Sequence, residues 1–214
     1  MQPPPGRWIS ALLIAMLWGL PVAQARPVEV ILLRHGDKDN KRGDYNLSPA
    51  GFQRSIALAR LIPACFGKPT VITTFYLDPD TSKNARSYQS AVPLGVATGV
   101  NIRMAPASLT NSLGVGEELR RRTVEGSGES SERVVLFWEH RRMPELARGL
   151  GWPAMPAIAD DDFDQMFVFR FPTPGGEPEV QRLSQSALFR QACYRKAEVP
   201  WQLEPAGATT AQQP

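Results

Sequence analysis

The chain is 214 residues long, 43% hydrophobic and 21% charged, with 24 Lys and Arg against 21 Asp and Glu. That composition excludes a disordered or fibrous protein and makes one globular domain the default. The formal net charge of +3 is spread along the chain rather than gathered into a block, which gives nucleic-acid binding no support.

At the N-terminus Arg7 precedes the apolar run from Trp8 to Leu20, and Pro21-Val22-Ala23-Gln24-Ala25 then makes a small-x-small pattern. This reads as a secretory signal cleaved after Ala25. The apolar run is shorter than the ~20 residues a membrane span needs, so a membrane anchor fits less well. No cysteine follows the cleavage point, which leaves no lipid anchor and no stable membrane attachment after cleavage. The division expected is a signal peptide at 1–25, a domain at 26–200 and a disordered tail at 201–214, polar and Pro-ended from Ala206. Removing 25 of the 214 residues leaves 189, enough for one sizeable core, and a periplasmic or secreted protein is expected.

Val28 to Leu33 is a nearly continuous apolar run, as in a strand buried on both faces of a parallel sheet. It ends at Arg34-His35-Gly36, and a polar loop from Asp37 to Leu47 follows. Ser48 is a good N-cap with Pro49 at the first helical position, and Phe52, Ile56, Ala59, Leu61 and Ile62 keep helical spacing to about Cys65. Thr70 to Leu77 reads as a second strand and Asp78 to Asn84 as a loop. Ala85 to Thr98 reads as a second helix that Gly99 terminates, with Pro93 expected to kink it or mark a later start.

Asn101 to Met104 fits a short strand and Leu113 to Val124 a helix, whose Arg120-Arg121-Arg122 run reads as a solvated helix end. After the polar linker Gly126 to Ser131, Arg133 to Trp138 repeats the buried-strand pattern and stops at Glu139-His140. Pro144 to Leu150 begins another helix. Asp164 to Phe171 and Glu179 to Leu183 flank Pro172-Thr173-Pro174-Gly175-Gly176, which predicts an antiparallel edge hairpin. Strands alternating with helices give an α/β three-layer sandwich, a mostly parallel sheet flanked by helices, with ligands beyond the carboxyl ends of the strands.

The two histidines, His35 and His140, each fall immediately after a buried-type strand, at the edge where such a sheet builds its site. Either histidine by itself is more simply a surface or core residue; their shared placement reverses that preference. Arg34 offers a planar, permanently charged fork for two phosphate oxygens. Gly36 is expected to let a phosphate approach the backbone. Arg86 starts the second helix, where its guanidinium and the helix N-terminus can face the same pocket. The run Asp160-Asp161-Asp162 reads as a solvated loop, and Trp138, Trp152 and Trp201 as core or rim packing. Cys65 and Cys193, the only cysteines, suit either a disulfide or two buried thiols.

Leu32-Leu33-Arg34-His35-Gly36, Leu47 to Gln53, Arg86 to Ala91, Val134 to His140 and Phe163 to Gln185 together resemble, in that order, segments of the histidine phosphatase (phosphoglycerate mutase-like) superfamily. The resemblance implies that His35 attacks phosphorus, that water then hydrolyses the phosphohistidine, and that no metal or organic cofactor takes part. It implies that Arg34, Arg86 and His140 surround the transferring group, with His35 neutral and His140 better charged. The proton donor is open among Glu139, Asp37 and Glu117 or Glu118; Glu139 is preferred, and Asp37 is also placed as a substrate-binding residue or a turn cap. The substrate expected is a small-molecule phosphate ester or a phosphorylated peptide. A catalytically silent phosphate-binding module is the alternative. A metallohydrolase has a poor ligand set in two isolated histidines, and a mutase fits export badly.

Overall fold

The computed structural model describes residues 26–39, 43–105, 112–125 and 131–198; the expected signal peptide, the tail and Trp201 lie outside them. Among the described residues the strands are β1 (Arg26–Arg34), β2 (Val71–Thr74), β3 (Ile102–Met104), β4 (Ser131–Trp138), β5 (Gln165–Arg170) and β6 (Glu179–Ser184). They form one sheet in the order β3-β2-β4-β1-β5-β6. The pairs β1/β4, β2/β4 and β2/β3 are parallel, and β5 and β6 close one edge as an antiparallel hairpin. The sandwich and its edge hairpin are as the sequence predicts.

Period-two alternation explains the near-continuous apolar runs. Val30 and Leu32 share one face with Val134, Leu136, Phe167 and Phe169, while Ile31 and Leu33 share the other with Val135, Phe137, Met166 and Val168. Helices cover both faces. Leu58, Leu61 and Ile62 of α1 (Pro49–Cys65) and Leu94 of α2 (Ala85–Thr98) pack on the second. Leu119 of α3 (Ser112–Glu125) and Leu146 of α4 (Met143–Gly149) pack on the first. The indole Nε1 of Trp138 donates to Ser112 Oγ at 3.0 Å, which joins β4 to α3.

Ser48 caps α1 through its side chain, accepting from the Gly51 amide at 3.1 Å. The second helix begins at Ala85 and runs past Pro93 to Gly99, whose φ of 68° closes it. β2 is shorter than expected: Phe75 adds one bond to the Phe137 carbonyl, and then the neighbouring strands end at Met104 and Trp138. Two short helices escaped the sequence reading, α5 (Gln185–Leu188) and α6 (Ala192–Lys196). Four and five residues carry too little periodicity to be recognised.

Cys65 at the end of α1 and Cys193 in α6 form a disulfide, resolving the question left open by the sequence. The arginine run is not uniformly solvated. Arg121 lies exposed against Glu118, but Arg122 makes a largely buried pair with Glu132 and Arg120 reaches the Gly175 carbonyl at 3.4 Å. These two arginines secure α3 to β4 and to the hairpin turn. No helix among the described residues is long and apolar enough to cross a membrane.

Candidate active site

Parallel pairing of β1 with β4 sets Arg34 opposite Trp138, and the His35 amide donates to the Trp138 carbonyl at 3.3 Å. The two chains therefore leave the sheet side by side, one carrying His35 and the other Glu139 and His140. Both imidazoles are buried, 7% and 4% exposed. His35 Nδ1 lies 2.8 Å from the Gly36 carbonyl. A carbonyl only accepts, so Nδ1 carries the proton and Nε2 keeps its lone pair.

Burial is the largest cause that pulls the pKa of His35 down from 6.5 to about 3; the Gly36 hydrogen bond opposes it, and the charges of Arg34, Arg86 and His140 add to it. The ring is neutral at ordinary pH. Burial also lowers His140, while the hydrogen bond to Asp160 and the charges of Glu139 and Asp160 resist. The expected charged His140 thus differs from the structure: burial disfavours the protonated form of both rings.

Arg34 is 2% exposed and its guanidinium is wrapped by a loop distant in sequence. Nη1 donates to the carbonyls of Ala159 and Asp162, and Nη2 to that of Asp160, each at 2.8 Å. The Phe163 ring lies under the fork, 3.9 Å from the guanidinium carbon, and 5.9 Å from the His35 ring. Two of the five N–H groups are left over, and one of them, Nε, is buried without a partner. An unmatched charged donor costs on the order of 1–3 kcal/mol or more, which an incoming anion would offset. Burial lowers Arg34 to about 10, so it keeps its charge.

Arg86, near the start of α2, bonds through Nε to the Asn46 carbonyl at 2.8 Å and through Nη2 to that of Asp44. Three N–H groups remain. Gly36 packs against the start of α1. Its amide donates to Ser90 Oγ at 2.9 Å, and a Cβ there would sit 2.6 Å from the Gly51 carbonyl. The missing side chain makes room for α1. The Asp37 carboxylate meets Arg54 Nε at 2.7 Å and its carbonyl accepts from the Ser48 amide, so it secures the loop to α1.

Glu139 closes the group. At the strand end the alternation breaks, and Oε1 lies 3.0 Å from His140 Nδ1 at an angle that makes no hydrogen bond. A cavity of about 580 Å³ lined by Phe75, Tyr76, Lys83, Glu139, Arg141 and Arg142 opens there. Glu118 is instead occupied by Arg121 on the exposed face of α3. The aspartate run is not a freely solvated loop. Its carbonyls hold Arg34, Asp160 Oδ1 is 2.6 Å from His140 Nε2, and Asp162 Oδ1 caps the Asp164 amide at 3.0 Å. Asp160, Phe163 and Ser90 are the residues that sequence reasoning missed. No group of three or more His, Cys, Asp or Glu among the described residues is arranged to hold a metal ion.

No family model and no curated protein matches the sequence. Solved structures do resemble the chain. The protein histidine phosphatase SixA complexed with tungstate superposes with a TM-score of 0.52 at 15% identity, covering 75% of this chain and 99% of that one. The likeness is one of fold: an α/β sandwich shared with that structure. Mycobacterial glucosyl-3-phosphoglycerate phosphatase with inorganic phosphate gives a TM-score of 0.46 at 18% identity, over 73% of this chain and 95% of that one. A phosphoserine phosphatase from Entamoeba histolytica in complex with 3-phosphoglyceric acid gives 0.43 at 13% identity, over 75% and 98%.

Proposed function

We propose that this chain hydrolyses phosphate monoesters through a phosphohistidine on His35. The observation that carries the reading is a neutral imidazole whose Nδ1 proton is held by Gly36, leaving the Nε2 lone pair next to three cationic or cation-capable side chains. In the first step Nε2 forms a bond to phosphorus and the ester P–O bond breaks, its electrons going to the leaving oxygen. Glu139, which lines the cavity, gives that oxygen a proton. In the second step water attacks phosphorus, the P–N bond breaks, Glu139 takes the water's proton, and inorganic phosphate leaves. Arg34 and Arg86 offset the equatorial charge in both steps.

The cavity beside Glu139 suits a small organic leaving group better than an extended peptide. Export to an oxidising compartment belongs to the same proposal. It is supported by the apolar N-terminal run and by the Cys65–Cys193 disulfide. Hydrolysis of p-nitrophenyl phosphate that disappears in His35→Ala is the expected result; phosphate binding without hydrolysis at any pH leaves only the silent binding module.

A further inference from the structure

The catalytic groups already hold an anion of their own. Asp160 Oδ1 sits 2.6 Å from Nε2 of His140, the buried imidazole whose strand leaves the sheet beside that of His35. Its other neighbour is Arg141, whose Nη2 lies 3.4 Å from Oδ2. Arg141 is 71% exposed and the Asp160 side chain 65% exposed, whereas His140 is buried. The carboxylate thus bridges an inner imidazole and an outer guanidinium. It stays ionised, its pKa lowered chiefly by the His140 hydrogen bond.

The backbone beneath it cannot follow the side chain outward. The carbonyls of Ala159, Asp160 and Asp162 all accept from Arg34, and Phe163 stacks against the same guanidinium. Release therefore falls to rotation about the side-chain bonds of Asp160 alone, which solvent exposure leaves unhindered. A phosphate group arriving at His140 Nε2 and a carboxylate already there cannot share one proton donor without like-charge repulsion.

We propose that Asp160 is a resident anion that competes with the substrate phosphate for His140 and yields by swinging to Arg141. This rests on the phosphatase reading above, since it takes the same hollow as the phosphate site. The device sets a threshold: a ligand must displace a tethered carboxylate, so a dianionic phosphate monoester enters more readily than a singly charged diester. Asp160 is a specificity-determining residue rather than an acid or base, and Arg34 keeps its orientation in both positions.

The test is binding of inorganic phosphate at pH 8, measured by titration calorimetry on the wild-type chain and on Asp160→Ala, Asp160→Asn and Asp161→Ala. Asp161 is exposed and serves as the charge-matched control. If the carboxylate occupies His140 for about nine-tenths of the time, its removal tightens phosphate binding about tenfold, because apparent affinity scales with the competent fraction. Tighter binding in both Asp160 variants, with Asp161→Ala at the wild-type value, is the expected result. Equal or weaker binding in Asp160→Ala overturns the competition and leaves the phosphatase reading intact. Absence of phosphate binding in every variant, with unchanged melting temperatures, overturns both.

Discussion

The amide of His35 donates to the carbonyl of Trp138 at 3.3 Å, which carries the β1/β4 ladder one residue past the end of β1 onto the last residue of β4. The nucleophile proposed here is thereby placed by the sheet, not by a loop. His140 follows from the same strand end two residues after Trp138, so the separation of the two imidazoles is set by parallel pairing. Sites built on regular elements hold their geometry more tightly than sites built on loops.

That placement depends on backbone contact behind the ring. Gly36 and Gly51 meet so closely that a Cβ on Gly36 lies 2.6 Å from the Gly51 carbonyl, and one on Gly51 lies 2.2 Å from the Asp37 carbonyl. Either Gly36→Ala or Gly51→Ala is expected to destabilise by about 1–3 kcal/mol, the usual cost of overpacking. Thermal melting checks the loss; unchanged Tm in both variants would contradict the contact. A fall in kcat beyond the loss of folded protein is expected for Gly36→Ala, because the strand exit moves with it.

Acid sensitivity should report the buried His35. Its folded value of about 3 lies below the ordinary 6.5, so the unfolded chain takes up the proton first. Stability from this group is full above pH 6.5 and is lost as pH falls toward about 3, by on the order of 4 kcal/mol. His35→Asn should therefore flatten the fall in Tm between pH 7 and 4. Parallel curves for variant and wild type would mean that the ring is not held dry and neutral.

Much of this site is legible in the amino-acid order alone. The apolar runs ending in Arg34-His35-Gly36 and Glu139-His140 locate two strand tips, and the Ser48-Pro49 signal locates the start of α1 at the residue observed. What stays hidden is whatever depends on residues remote in sequence. Arg34 is oriented by carbonyls 125 to 128 residues away, and nothing local in a run of aspartates says that its backbone will accept from an arginine. The function of Gly36 is hidden for the same reason, since the atom that excludes its side chain belongs to Gly51.

The disulfide closes a loop of sequence separation 128 between α1 and α6. In the chain-entropy picture such a crosslink contributes about 3–5 kcal/mol by restricting the unfolded chain. Reduction, or Cys65→Ser with Cys193→Ser, is expected to lower the urea midpoint while leaving hydrolysis per folded molecule unchanged, because the bridge lies away from the histidines. Loss of activity at full folding would link α6 to the site.

Protonation of the leaving group separates Glu139 from the other carboxylates. Glu139→Gln should slow hydrolysis of an alkyl phosphate by about 10²- to 10⁴-fold and that of p-nitrophenyl phosphate far less, since a good leaving group departs without a proton. Equal slowing of both substrates would assign Glu139 to binding. Asp37→Asn, whose partner is Arg54, should lower stability without producing this difference between substrates.

The covalent intermediate is the claim on which the rest depends. Rapid acid-free quenching of the enzyme during turnover of ³²P-labelled phosphate ester, followed by proteolysis and peptide mapping, measures it directly. Acid-labile, base-stable label on the peptide containing His35, absent from His35→Ala, is the result predicted. Steady hydrolysis with no label on the protein, or label on His140, would contradict it.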